Sequence, residues 1–197
     1  MSGWTQSSIE GIAPAVRQAA ENTGWKVREG SLSLIENGAT FHASIFADTM
    51  NFRAKPIQWN EIYWSIMNMT FKRTPQATRH WTSFSLPVPI RAQAQVREGA
   101  ADKAAAALIA FADTGKARTT TIDRLPGVRF APDRDDDFQM ARIVERLALG
   151  DPKGARDIAE GVVAGRIRSS FNHNAAGGSF FELARARIDD GVLERSA

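Results

Sequence analysis

The segment SLSLIENGATFHASIF, residues 31–46, limits the possible folds more than any other part of the chain. Asn37 and Gly38 are the residue pair that a two-residue type I′ turn requires, because both central residues take a positive φ. Apolar and polar residues alternate on both sides of this turn. The turn fixes the register, so the sequence predicts an antiparallel hairpin with one apolar and one polar face. The predicted pairs are Glu36 with Ala39, Leu34 with Phe41, Leu32 with Ala43, Ser33 with His42, and Ser31 with Ser44.

A second alternating segment extends from Thr82 to Val96, with apolar residues at the even positions. This pattern predicts a long strand. Pro87 and Pro89 fall in the other set and remove amide donors from one side of the strand, which a central strand cannot tolerate. We therefore expect an edge strand that the prolines partly protect from pairing.

The remaining patterns are helical. Residues 9–20 predict an N-terminal helix that Pro14 either kinks or begins, and residues 58–69 predict a helix that contains Trp59 and Trp64. These two tryptophans are five residues apart and lie on different helix faces, so we expect one of them to face solvent unless the helix is covered on two sides. An exposed tryptophan beside an edge strand is a candidate protein-binding surface. The residues predicted for it are Trp64, Trp81, Pro87 and Pro89.

The C-terminal half predicts helices throughout. An alanine-rich helix begins near Ala100 and is expected to end at Gly115 as a C′ glycine. Residues 138–164 predict an αα-hairpin, and residues 180–190 predict a last helix. The fold class is therefore α+β: an antiparallel β-sheet with packed helices in residues 1–98, and a mainly α-helical part in residues 99–197. The two parts are either separate subdomains or one continuous domain.

The loop SSFNHNAAGGSFFE, residues 169–182, contains residue types that carry chemistry, but not in a catalytic pattern. It has neither a phosphate-loop nor a nucleophile-elbow motif, and Ser179 with Glu182 predicts a helix capping box. The amides at a helix start also attract anions, and arginines lie nearby. A small-anion site therefore stays open as a hypothesis. Its predicted residues are Arg166, Arg168, His173, Gly178 and Ser179.

Several chemistries find no support in the sequence. Asp133, Asp135 and Asp137 begin like a calcium loop, but Phe138 and Val144 stand where that loop needs glycine and glutamate. His42, His80 and His173 lack the spacing of metal ligands. The absence of cysteine excludes disulfides and thiolate zinc sites. We therefore predict no catalytic residue, no metal and no cofactor.

Net charge and hydropathy indicate where the protein is located and which classes of partner it can bind. The net charge is +3, and no run of lysines and arginines forms a stripe for phosphates. The N-terminus lacks a signal-peptide pattern and no apolar stretch is long enough to span a membrane, so we predict a soluble, cytoplasmic protein without a membrane partner. Basic residues do accompany an aromatic one in the segment 72–81, which is one way to bind nucleic acid. They are Lys72, Arg73, Arg79 and Trp81.

Three functional hypotheses follow. The leading one is a non-catalytic interaction module, adaptor-like or chaperone-like, that binds a protein through the sheet edge and exposed aromatic residues. The second is an enzyme or small-anion-binding protein with a site near residues 166–182. The third and least favoured is nucleic-acid binding through residues 72–81. The order of elements is similar to that of small bacterial binding modules such as secretion-chaperone-like domains, a likeness of topology alone.

Overall fold

The computed structural model describes residues 6–28, 30–46, 49–68, 86, 88, 90–96, 101–119 and 138–193, with side chains from residue 12 onwards. Numbered along the chain, the helices are α1 (Gln6–Ala19), α2 (Ile57–Ile66), α3 (Ala101–Arg118), α4 (Gln139–Ala148), α5 (Pro152–Val163) and α6 (Phe180–Asp189). The strands are β1 (Lys26–Arg28), β2 (Ser31–Glu36), β3 (Ala39–Phe46), β4 (Thr49–Pro56), β5 (Ala92–Gln95), β6 (Asn174–Ala175) and β7 (Gly178–Ser179). The predicted α+β class is confirmed.

The chain forms two compact units. The first contains Met1–Pro56 and Ile90–Leu125, and the second contains Ile57–Pro89 and Pro126–Ala197. This grouping differs from the predicted division after residue 98, because helix α2 groups with the C-terminal helices, while β5 and α3 group with the N-terminal strands. The predicted organisation as two subdomains, or as one continuous domain, stays a prediction.

The first unit is built on a five-stranded antiparallel sheet in the order β1-β2-β3-β4-β5. The predicted hairpin is confirmed as β2 and β3, with Leu34 opposite Phe41 and Leu32 opposite Ala43. Asn37 has φ 49° and Gly38 has φ 74°, as a type I′ turn requires. Turn chemistry and alternating hydrophobicity therefore specify the centre of this sheet locally.

Helices α1 and α3 pack against each other, and α3 also packs on β3 and β4. The core of this unit combines α1 and α3 with the apolar face of the sheet. Two polar contacts hold α3 at its edges: Trp25 Nε1 donates to Asp113 Oδ1 at 2.9 Å, and Lys116 Nζ lies 3.1 Å from Glu36 Oε2. Among the largest fully buried side chains of this core are Ile12, Val16, Leu32, Phe52 and Leu108.

The predicted long strand over residues 82–96 is wrong in its length. Among the described residues of this range, Ala92–Gln95 form a strand, whereas residues 86, 88, 90, 91 and 96 do not; this strand is the last of the sheet, as an edge position requires. Leu86 and Val88 are buried as their even positions predicted, but they belong to the core of the second unit. Alternation is the same for a sheet strand and for an extended segment that packs elsewhere, so the pattern alone did not separate the two.

The predicted end of α3 at Gly115 is also wrong, because the helix continues to Arg118. An ideal Cβ on Gly115 would lie 2.7 Å from ring atoms of Phe52. Real Cβ contacts are essentially never that short, so the glycine is required by packing rather than by a helix cap. Residue 115 is the point where α3 comes closest to the ring of Phe52 on β4.

The second unit packs α2, α4, α5 and α6 around an aromatic core. The predicted αα-hairpin is confirmed as α4 and α5: Gly150 has φ 72°, and the Asp151 side chain accepts a hydrogen bond from Gly154 N at 2.8 Å. Trp59 and Trp64 are only 5% and 4% exposed. The expectation that one of these tryptophans faces solvent is therefore wrong, because α2 is covered on more than one side.

Replacement of Gly115 by alanine is expected to lower the free energy of unfolding by about 1–3 kcal/mol, because the new methyl group would overpack the Phe52 ring. The matched control is Gly161→Ala on α5. There the added methyl would meet the flexible end of Ile167, and the better helix propensity of alanine offsets the contact. Urea denaturation of both variants measures the difference. Equal stability of the two variants would contradict this account of Gly115.

Candidate functional site

The two edges of the sheet differ in how they are protected. Strand β1 has three residues, and both Lys26 and Arg28 on it are exposed. Strand β5 reads Ala-Gln-Ala-Gln and contains neither a charge nor a proline. Unpaired edge strands attract other strands, and natural proteins prevent this with short strands, lysines and prolines. Both edge strands are short, but β1 also carries two cationic side chains, whereas β5 carries no charge within the strand.

The residues of β5 alternate between two environments. Ala92 and Ala94 lie opposite Phe52 and Met50 of β4 and are half-buried. Gln93 and Gln95 are exposed, and Gln93 Nε2 donates a hydrogen bond to Asn51 Oδ1 at 2.8 Å. The small alanines therefore occupy the face of β5 that contributes to the apolar core, where they leave space.

That space is a groove of about 380 Å³ between β5 and α3. Its walls are low because alanines and Gly115 contribute little volume on either side. Phe111 lines it and is held edge-to-face against Phe52, with ring centroids 6.5 Å apart. The described lining residues are Ala92, Gln93, Ala94, Ala110, Phe111, Thr114, Gly115 and Arg118.

Arg118 supplies the charge among these lining residues. It is exposed at the last position of α3, and it makes no ion pair with any residue that the structure describes. Nearby charged groups of α3 are already engaged: Asp113 accepts from Trp25, and Lys116 pairs with Glu36. Among the described residues, the groove is therefore lined mainly by apolar and small side chains, with one guanidinium at its end.

Of the four predicted protein-binding residues, Trp64 alone lies in the part of the chain that the structure describes. Trp64 is buried in the second core and offers no exposed contact. Trp81, Pro87 and Pro89 lie outside the described residues, as does the basic segment 72–81. The edge strand itself is present as β5, shorter than predicted. The groove was not predicted, since its lining comes from two segments about twenty residues apart whose contact no local pattern reveals.

His173 lies beside an aromatic cluster in the second unit. Tyr63 Oη is 2.6 Å from His173 Nδ1, and the Tyr63 ring stacks on Phe180 with centroids 5.6 Å apart. Burial raises the pKa of Tyr63 to about 12 and lowers the pKa of His173. Tyr63 and His173 therefore share a short hydrogen bond whose donor depends on the tautomer of the imidazole. Tyr63 was missed from the sequence, because nothing local links it to a histidine 110 residues away.

The predicted anion site is largely occupied by the protein itself. Ser179 N donates to Glu182 Oε2 at 2.8 Å, and Glu182 N donates to Ser179 Oγ at 3.3 Å, so the predicted capping box is confirmed. Phe180 N donates to the carbonyl oxygen of His173 at 2.7 Å. Three amides that would hold an anion are therefore satisfied, and the Glu182 carboxylate adds a negative charge there.

The other predicted anion-site residues lie around this helix start or follow α5. The strand pair β6 and β7 brings Gly178 next to the His173 loop. Arg166 lies 3.6 Å from Glu160 Oε1, and Arg168 is exposed. Anion binding by this set stays a prediction, and its electrostatic support is weaker than the sequence indicated.

The polar face of the sheet is buried as well. Ser33, Thr40 and Lys55 have no exposed surface. Burial lowers the pKa of Lys55 to about 7, and burial, with the charges of Arg53 and Lys55, lowers the pKa of His42 to about 4. His42 lies on the polar hairpin face, as predicted. This face therefore combines uncharged polar side chains with the basic groups of Arg53 and Lys55.

Comparison with known proteins finds no matching family model and no curated protein or solved structure of significant similarity. Across the described ranges, no three histidine, aspartate or glutamate side chains lie together as a metal site would require. In those same ranges, no helix is both long and apolar enough to cross a membrane. The groove beside β5 is the best-defined candidate site among the described residues.

The free energy of unfolding is expected to fall as the pH is lowered from 6.5 to 4. In this window His42 stays neutral in the folded protein but becomes protonated in the unfolded chain, which favours unfolding. The full effect is about 3 kcal/mol, from a pKa lowered to about 4. Urea denaturation at several pH values measures it. In His42→Gln the loss should be smaller by this amount, and an unchanged pH dependence would contradict the assignment.

Replacement of Tyr63 by phenylalanine is expected to lower the free energy of unfolding by about 1 kcal/mol, the net value of one hydrogen bond. It should also shift the pKa of His173, because the imidazole loses a hydrogen-bond partner. NMR titration of the three histidines measures this change, with His42 as the internal control. A pKa of His173 that does not move would contradict the hydrogen bond.

Proposed function

We propose that this protein is a non-catalytic interaction module that binds an extended segment of a partner protein along strand β5. The observation that carries the proposal is the contrast between the two sheet edges. Edge β1 carries Lys26 and Arg28, whereas β5 is uncharged and borders an apolar groove. A protein that only needed to avoid aggregation would gain from protecting both edges.

Strand addition suits this geometry. A partner segment in extended conformation pairs its backbone with an edge strand, and its alternate side chains enter adjacent pockets. Backbone pairing supplies affinity, while the pockets supply specificity. Here the groove lies on the side of β5 that Ala92 and Ala94 occupy. The partner side chains that point to this same face of the sheet would therefore face the groove.

The alternatives have less support from the described residues. At the start of α6, the capping box satisfies amides that an anion would need. The residues of the nucleic-acid hypothesis, Lys72, Arg73, Arg79 and Trp81, lie outside the described ranges, so that hypothesis rests on sequence alone. Its signature would be a retained nucleic acid whose binding falls steeply with salt.

The proposal is tested by affinity purification of the tagged protein from its source cells at low and moderate salt, followed by mass spectrometry. The informative variant carries Gln93→Lys and Gln95→Lys, which gives β5 the type of protection that β1 has. The matched control carries Ala106→Lys and Ala107→Lys, the same charge change at exposed positions of α3.

We expect a stoichiometric protein partner that the wild type and the control retain and that the β5 variant retains about tenfold less, since each tenfold loss needs only about 1.4 kcal/mol. Equal retention by the β5 variant would contradict binding along this edge. Retention of a nucleic acid or a small anion in place of a protein would contradict the interaction module itself.

A further inference from the structure

We infer that the groove between β5 and α3 selects the partner: it accepts two apolar side chains at positions i and i+2 of an extended segment, with an acidic side chain beside them that pairs with Arg118. This inference rests on the proposed function, because it assumes strand addition at β5. It goes further by naming the chemistry of the segment that binds.

The spacing of the two apolar side chains follows from the strand. Residues rise about 3.3 Å each along a strand, so side chains two residues apart are separated by about 7 Å. Ala92 and Ala94 have this spacing, and both line the groove. A strand paired with β5 would therefore place two of its own alternate side chains over the same space. A volume of about 380 Å³ leaves room for them.

The groove is open for a structural reason. Gly115 cannot gain a side chain, because a Cβ there would meet the Phe52 ring at 2.7 Å. Ala92, Ala94 and Ala110 keep the remaining walls low. No described side chain of the lining is both large and polar except Gln93 and Arg118, so the space favours apolar occupants.

The acidic position follows from charge complementarity. Arg118 is exposed and makes no ion pair with the described residues, while Asp113 and Lys116 on the same helix are engaged by Trp25 and Glu36. A guanidinium pairs with a carboxylate in a planar, two-bond geometry. A basic side chain at the same place would be repelled. The groove therefore discriminates between acidic and basic segments of equal hydrophobicity.

The test uses fluorescence anisotropy with three synthetic octapeptides and the full-length protein. The first alternates leucine and threonine and has aspartate at both ends. The second has the same centre with lysine at both ends. The third keeps the composition of the first but places the leucines and threonines in separate blocks. We expect the first to bind, and the second and third to bind at least about tenfold more weakly.

Variants assign this preference to the groove. Ala94→Phe fills the groove and is expected to weaken binding of the first peptide by at least about tenfold, with Ala94→Leu weakening it less. Arg118→Gln should remove most of the difference between acidic and basic peptides. The matched controls are Ala106→Phe and Lys103→Gln, which make the same changes at exposed positions of α3 outside the groove. Circular dichroism confirms that each variant is folded.

Three results would overturn the inference: no binding of the acidic alternating peptide, equal binding of acidic and basic peptides, or a preference that Arg118→Gln retains. None of them overturns strand addition itself. The affinity purification tests strand addition separately, by comparing partner retention in the wild type with retention in the variant that carries Gln93→Lys and Gln95→Lys. Binding that Ala94→Phe leaves unchanged would likewise place the peptide elsewhere than in the groove.

Discussion

The close approach of Gly115 to the Phe52 ring is the contact on which the candidate site depends. It fixes the height of α3 above β4, since an added Cβ would lie 2.7 Å from the ring. Phe52 in turn holds Phe111 on one side and stacks on Phe41 on the other, with centroids 6.5 and 6.3 Å apart. Where α3 extends past this contact to Arg118, it borders the groove that Ala92 and Ala94 of β5 also line. A tightly packed centre and an under-filled edge therefore arise from one arrangement.

The two faces of the sheet in the first unit differ in polarity. The face toward α1 and α3 is apolar, whereas the other face buries Ser33, Thr40 and Lys55. Burial of a cation is unfavourable in its charged form, which is why the pKa of Lys55 falls to about 7. Such a face stabilises the protein less than an apolar one would, and it makes stability depend on pH. With both faces buried, the sheet can meet a partner strand only through the backbone donors and acceptors of its edges, of which β1 carries charged side chains and β5 does not.

The sequence predicted those parts of the fold that local chemistry specifies. The hairpin was predicted with its register, because Asn37 and Gly38 determine the turn and the alternation determines the faces. The αα-hairpin and the capping box of Ser179 follow from equally local signals. The length of β5 was not predictable, because Leu86 and Val88 alternate correctly while they serve another core.

What the sequence missed depends on contacts between distant segments. Trp64 is buried because α2 is covered on more than one side, a fact that no helical pattern contains. The pair of Tyr63 and His173 joins residues 110 positions apart. Gly115 was interpreted as a helix end, since the alternative reason for a glycine, a ring on β4, is visible only in three dimensions. The groove could not be predicted for the same reason: its walls come from β5 and α3, and its openness depends on the contact of Gly115 with Phe52 on a third segment, β4.

Amide hydrogen exchange tests strand addition most directly. The protein is compared with and without the acidic alternating octapeptide, and exchange is followed separately at the two edge strands. The account predicts that the amides of Ala92–Gln95 exchange more slowly in the complex, because half of them gain partners, while those of Lys26–Arg28 do not change. Unchanged exchange at β5, with protection that appears on β1 or in the second unit, would contradict it.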